Sequence, residues 1–230
     1  MRIDPAEVAR LILAGQVPPP AWIPDIVELR LERGYITDLR PVAALTELRR
    51  LVLTRSRISD IAPLAALTRL QRLHLSYTAV SDLTSLVGMA ELEGCFLTGS
   101  LVEDIAPLAG LVRLERLDLG GTRIKDTTAL ARLRSLRSLD LSDTSITDVT
   151  PLAGLTGLQY LDLTKTPVTD LAPLSALTEL RWLVLRGTQA NLSALSVLPR
   201  CQIITVALAP RRRPVVPNDI AIASSLRSSQ

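Results

Sequence analysis

Leu136-Arg137-Ser138-Leu139-Asp140-Leu141, running on through Asp148 and Pro151 to Leu155, is followed after two intervening residues by Leu158-Gln159-Tyr160-Leu161-Asp162-Leu163, running on through Asp170 and Pro173 to Leu177. Both stretches fit one frame: L-x-x-L-x-L, a small residue, an aliphatic, then D-[ILV]-x-P-L-x-x-L. Moving outward at the same spacing of 22 residues, Leu48, Leu70, Leu92, Leu114 and Leu180 open further copies, and Ile26 extends the phase backwards. The eighth copy lacks one residue after Thr188, and Cys201-Gln202-Ile203-Ile204-Thr205-Val206 reads as a closing strand. Eight copies in phase are not chance, and such a period is the signature of stacked repeats. The expected architecture is an α/β solenoid.

The frame dictates the local structure. The second and third leucines of L-x-x-L-x-L lie two apart, so they share one face of a short strand and the residues between them face solvent. Successive copies then pair in parallel into a curved sheet whose inner side is aliphatic. The second half of each unit returns along the opposite side. Pro41, Pro63, Pro107, Pro151 and Pro173 suit the first position of a short helix or 3₁₀ turn, where no amide donor is needed. The preceding Asp38, Asp60, Asp82, Asp104, Asp126, Asp148 and Asp170 are expected to accept backbone N–H bonds at that turn. A role repeated in every unit is structural.

Composition agrees. Of 230 residues, 45 are leucine while aromatics make up only 3%, so the core is built from one aliphatic side chain used repeatedly. No apolar run is long enough for a transmembrane helix. Met1-Arg2-Ile3-Asp4-Pro5, with Glu7 and Arg10 close behind, does not read as a secretory signal, so a cytoplasmic location is expected. The net charge of +3 sits in the last twenty residues, where Arg211, Arg212, Arg213 and Arg227 face only Asp219. The body is neutral, and no basic face for nucleic acid is expected.

Both ends of a repeat stack need atypical covers. In residues 1–25, Asp4-Pro5-Ala6-Glu7 reads as N-cap, first-turn proline and capping-box glutamate of a helix that Gly15 stops. Val8, Leu11 and Ile12 share its apolar face; Val17-Pro18-Pro19-Pro20 connects it to the solenoid, and Trp22 seals the first coil. Residues 26–206 form the solenoid. Residues 207–230 read as a basic, mostly unstructured tail.

These repeats resemble the leucine-rich repeat proteins of the 22-residue class, among them bacterial internalin-type repeat domains. The resemblance covers roughly Ile26 to Val206 and implies a right-handed superhelix with a parallel concave β-sheet, short helical or 3₁₀ turns on the convex side, and an N-terminal capping helix. It also implies protein binding rather than one particular activity. One departure stands out: the family usually has asparagine at the ninth position, where this chain has Gly34, Ser56, Thr78, Ser100, Thr122, Thr144, Thr166 and Thr188. Hydroxyls can still bond the backbone there, although an amide satisfies more groups.

No catalytic constellation emerges, and neither a cofactor nor a metal is expected. Gly120-Gly121 lacks the Lys-Ser/Thr of a phosphate loop. Cys95, at an inward position, and Cys201, at the first, read as reduced core thiols. His74, the one histidine, lies at an outward strand position beside Arg50 and Arg72 with no acid in its strand, a surface imidazole fit for contact rather than general base. Reading the third outward position along the repeats gives Glu28, Arg50, Arg72, Gly94, Arg116, Ser138, Tyr160 and Trp182; the fifth gives Arg30, Val52, His74, Phe96, Asp118, Asp140, Asp162 and Val184. The first half of this face is basic and the later half acidic. The aspartate column can receive arginines, lysines or a cation, although L-D-L is also frequent in the resembled family. Of the six aromatics, Tyr77, Phe96, Tyr160 and Trp182 fall at outward or rim positions, while Trp22 and Tyr35 belong to the first end.

The expectation is therefore a monomeric, non-catalytic module that binds a partner protein on its concave face, with no specific nucleic acid and no membrane. Its contact residues are Arg50, Arg72, His74, Tyr77, Phe96, Asp118, Asp140, Tyr160, Asp162 and Trp182. The alternatives are a recognition or regulatory part of a larger signalling or effector protein, or a secreted adhesin-like ligand. The heavy excess of arginine over lysine points to a GC-rich bacterial source.

Overall fold

The computed structural model describes residues 3–32, 36–198 and 200–205. Among the described residues one helix, α1 (Pro5–Leu13), leads into nine short strands: β1 (Glu28–Arg30), β2 (Arg50–Val52), β3 (Arg72–His74), β4 (Gly94–Phe96), β5 (Arg116–Asp118), β6 (Ser138–Asp140), β7 (Tyr160–Asp162), β8 (Trp182–Val184) and β9 (Gln202–Ile204). They form a single sheet in chain order. Each pair is parallel and one repeat apart, so that Leu139 lies opposite Leu161 and Ser138 opposite Tyr160. Gly34, Tyr35, Val206 and the basic tail lie outside the described residues.

The leucines of the frame go inward as their spacing requires. Leu136, Leu139 and Leu141 are fully buried, as are Leu158, Leu161 and Leu163, and one aliphatic cluster runs from Val8 to Leu198. Between strands the chain returns through 3₁₀ turns such as Arg40–Ala44 and Thr150–Gly154. The aspartates act as anticipated: Oδ1 of Asp38, Asp60, Asp82, Asp104, Asp126, Asp148 and Asp170 accepts the backbone N–H two residues on, at 2.8–2.9 Å. That bond explains why the prolines fall at the second position of these turns rather than the first. The first residue must keep its N–H for the carboxylate, and proline has none to give.

The ninth position divides in two. Thr78, Thr122 and Thr144 donate their hydroxyls to the carbonyls of Leu75, Leu119 and Leu141 at 2.6 Å, and Thr166 and Thr188 do the same to Leu163 and Leu185 at 2.8 and 2.7 Å. The buried hydroxyls of Ser56 and Ser100 have no partner. Threonine's β-branch restricts χ1 and holds its oxygen on the carbonyl, a constraint serine lacks.

At the first end Asp4 caps α1 through Ala6 N at 2.9 Å, and Val8 and Ile12 are buried, with Leu11 half-buried. The capping box is replaced: Glu7 accepts Arg10 Nη2 at 2.7 Å, the nearby guanidinium being the stronger donor. Trp22 packs half-buried against the core. At the other end the last unit is shorter than its sequence suggested. Trp182 pairs with Gln202, so two residues are missing rather than one, and Cys201 stands at the second position instead of the first. Its thiol is accordingly half-buried, and Ile203 packs against the core.

Candidate functional site

In-register pairing places the third and fifth positions of successive repeats in two adjacent columns across the concave face, with strands about 4.8 Å apart. The columns are less open than alternation alone predicts. His74, Asp140 and Asp162 are only 5%, 6% and 8% exposed. Arg50, Phe96, Asp118, Tyr160 and Trp182 are half-buried, while Arg72 and Tyr77 are exposed. The surface imidazole expected at His74 is thus corrected to a buried one. Side chains one strand apart stand closer than the breadth of a ring or guanidinium, so each column covers itself.

The Phe96 ring supplies part of that cover. It stacks on His74 with centroids 4.3 Å apart and planes 3° from parallel. Gly94 makes room for it, because a Cβ there would lie 3.1 Å from the ring edge. Burial first, and then the guanidiniums of Arg50, Arg30 and Arg72, push the His74 pKa down to about 4. The imidazole is neutral at physiological pH, and its Nε2 is buried without a hydrogen-bond partner.

The acidic half behaves as the mirror image. Burial and the neighbouring Asp118 carboxylate push the Asp140 pKa up to about 6, with Asp162 adding to the effect, while the Ser142 hydroxyl and backbone N–H oppose it. Asp118 and Asp162 likewise accept backbone N–H bonds two residues on, from Gly120 at 3.1 Å and Thr164 at 2.8 Å. Tyr160 donates its hydroxyl to Asp162 Oδ2 at 3.1 Å. These carboxylates are therefore part of the turn structure as well as of the face.

Tyr77 stands on the rim, with positive φ (57°), its ring over Gly99, where any Cβ would fall 2.7 Å from it. The Arg55 guanidinium lies 5.3 Å from the ring centroid on its other neighbour. Sequence inspection did not single out Arg55 or Arg30, although both share a column with a chosen residue. Cys95 is fully buried and its thiol is pushed up to about 12 by burial and Asp118, so it is a core side chain. Among the described residues no group of three or more His, Cys, Asp or Glu is placed to hold a metal ion. No described helix is long and apolar enough to cross a membrane.

The family model described as leucine-rich repeats (2 copies) matches residues 134–176, the two stretches with the most regular frame. No curated protein sequence matches the chain. Among solved structures, the internalin C2 of Listeria monocytogenes is 26% identical with a TM-score of 0.77, covering 86% of this chain and 92% of its own. An internalin, inlF, from the same organism is 25% identical with a TM-score of 0.70, covering 86% of this chain and 67% of its own. A plant peptide hormone receptor, RGFR1, in complex with RGF2, shares the fold at 16% identity and a TM-score of 0.69, over 79% of this chain and 32% of its own. The repeat frame, the nine-stranded parallel sheet and these similarities together make the chain a leucine-rich repeat protein with an internalin-like repeat domain.

Proposed function

We propose that the chain is a non-catalytic protein-interaction module that docks a partner protein on the concave sheet. The observation that carries this is the pair Tyr160 and Trp182. They are register partners on β7 and β8, both half-buried on the concave side, in a protein whose core is aliphatic and has no packing need for rings. Tyrosine and tryptophan are enriched among the residues that dominate protein interfaces. The face also offers opposite charges at its two ends, which favours one docking orientation. The same reading takes the chain as a cytoplasmic monomer, in which Cys95 and Cys201 stay reduced.

Affinity capture with the purified chain followed by mass spectrometry supplies the partner, and substitution decides the face. Tyr160→Ala and Trp182→Ala are each expected to weaken binding by roughly 1–3 kcal/mol with little change in melting. Ala131→Glu, at an exposed turn on the convex side, is expected to leave binding intact. Binding that survives both aromatic substitutions and fails with Ala131→Glu moves the site to the other face.

A further inference from the structure

We propose that Arg50, Arg72 and His74 form a carboxylate-binding notch in the basic half of the concave face, built to hold an acidic side chain of the docked segment. The proposal rests on the docking-face function above and names the chemistry of one part of the partner.

Arg50 on β2 and Arg72 on β3 are register partners, so two guanidinium stems rise side by side from one face. Like charges directly opposite one another destabilise a sheet, and this chain does little to relieve them. Glu28 accepts Arg30 Nε at 2.6 Å; the same oxygen is 3.7 Å from Arg50 Nε, beyond hydrogen-bond reach. Glu32 lies 3.9 Å from Arg30. Arg50 Nε is consequently buried with no acceptor, and His74 Nε2 beside it is buried with no partner. Among the described residues Arg72 is exposed and has no carboxylate within ion-pair distance.

Two buried nitrogens without partners in one small region are unusual, because a buried donor left unpaired forfeits its hydration. An incoming carboxylate answers the deficit at Arg50 Nε, and at His74 Nε2 when that nitrogen carries the proton. Its two oxygens match the forked donors of arginine, and its charge is the one that Arg72 lacks and that Glu28 supplies to Arg50 only at 3.7 Å. The notch has a wall as well: the Phe96 ring lies flat on His74 and fills the space over Gly94, so an anion there is shielded from water on the β4 side. Burial is the main cause of the lowered His74 pKa and the guanidiniums of Arg50, Arg30 and Arg72 come second; a bound carboxylate would offset that second cause.

The chain has a single histidine, so its imidazole resonances report on the notch without ambiguity. The probe is N-acetylated, C-amidated hexaglutamate, titrated at neutral pH into the isotope-labelled full chain, with hexaglutamine and inorganic phosphate as comparisons. Saturable movement of the His74 resonances is expected, with a rise in its pKa of at least about one unit. Arg72→Ala and Arg50→Gln should each weaken hexaglutamate binding by about tenfold, and Arg132→Ala, on a convex turn, should leave it unchanged. His74 resonances that stay still at high hexaglutamate, or equal affinity in Arg72→Ala, overturn the proposal. So does movement caused by phosphate at concentrations where hexaglutamate has no effect, which would make this a small-anion site. A captured partner that depends on Tyr160 and Trp182 while hexaglutamate leaves His74 unmoved removes the notch and leaves the docking face standing.

Discussion

His74 and Asp140 occupy the same place in their repeats, the fifth position of the strand, one in the basic half of the face and the other in the acidic half. Each is more than nine-tenths buried, and each has like-charged neighbours on its own or adjacent strands. The sheet answers both in the same direction, by shifting the buried member towards its neutral form. His74 falls from its ordinary 6.5 to about 4, and Asp140 rises from 3.8 to about 6. Opposite charges thus show one tendency: burial among like charges moves each group towards its neutral form, which His74 holds at neutral pH and Asp140 takes on only as the pH falls below about 6. The more exposed members, Arg72 at one end and Asp118 at the other, are the groups a partner meets first.

Both halves stand on the same aliphatic core. Leu73→Ala in the basic half and Leu161→Ala in the acidic half remove equally buried side chains, so each should cost about 2–5 kcal/mol in a denaturant melt. A difference between them as large as the effect itself would show that the halves are not equivalent units of one stack.

The next test separates the two charges by pH. As pH falls from about 6.5 towards 4, the unfolded chain takes up a proton that folded His74 refuses, and stability drops. Asp140 runs the other way. As pH rises from about 3.8 to 6, the unfolded chain gives up a proton that folded Asp140 keeps, and stability drops. Over about pH 4 to 6 the two slopes oppose each other and largely cancel. Removing either group should expose the other. Relative to the parent, His74→Gln should gain about 3 kcal/mol on acidification from pH 7 to 4, and Asp140→Asn should lose about as much. Urea melts across this range measure both; shifts of the same sign in the two variants break the mirror relation.

The smallest effect comes from the ninth position, where the halves also differ. Thr144→Val removes a buried 2.6 Å bond to Leu141 and should cost about 1 kcal/mol. Ser56→Ala removes a buried hydroxyl that has no partner, so stability should hold or rise by a few tenths of a kcal/mol. Equal losses in the two variants would mean that the serine hydroxyls are bonded in solution.

From sequence alone the period, the inward leucines, the aspartate-capped turns, the capping helix and the parallel strand order could all be read. Each depends on residues near one another in the chain, or on a repeat whose register is the same in every copy. The candidate site was legible as a set of columns, which correctly paired Arg50 with Arg72, and Tyr160 with Trp182. Its depth was not. Whether His74 is covered depends on the Phe96 ring from the next repeat, on the room left by Gly94, and on which guanidinium Glu28 chooses. The Arg10 contact that displaced the capping box, and the two-residue shortening that moved Cys201, were decided likewise by contacts between side chains and by strand register. Alternation along a strand says which way a side chain leaves the backbone; only packing across neighbouring strands decides whether water reaches it.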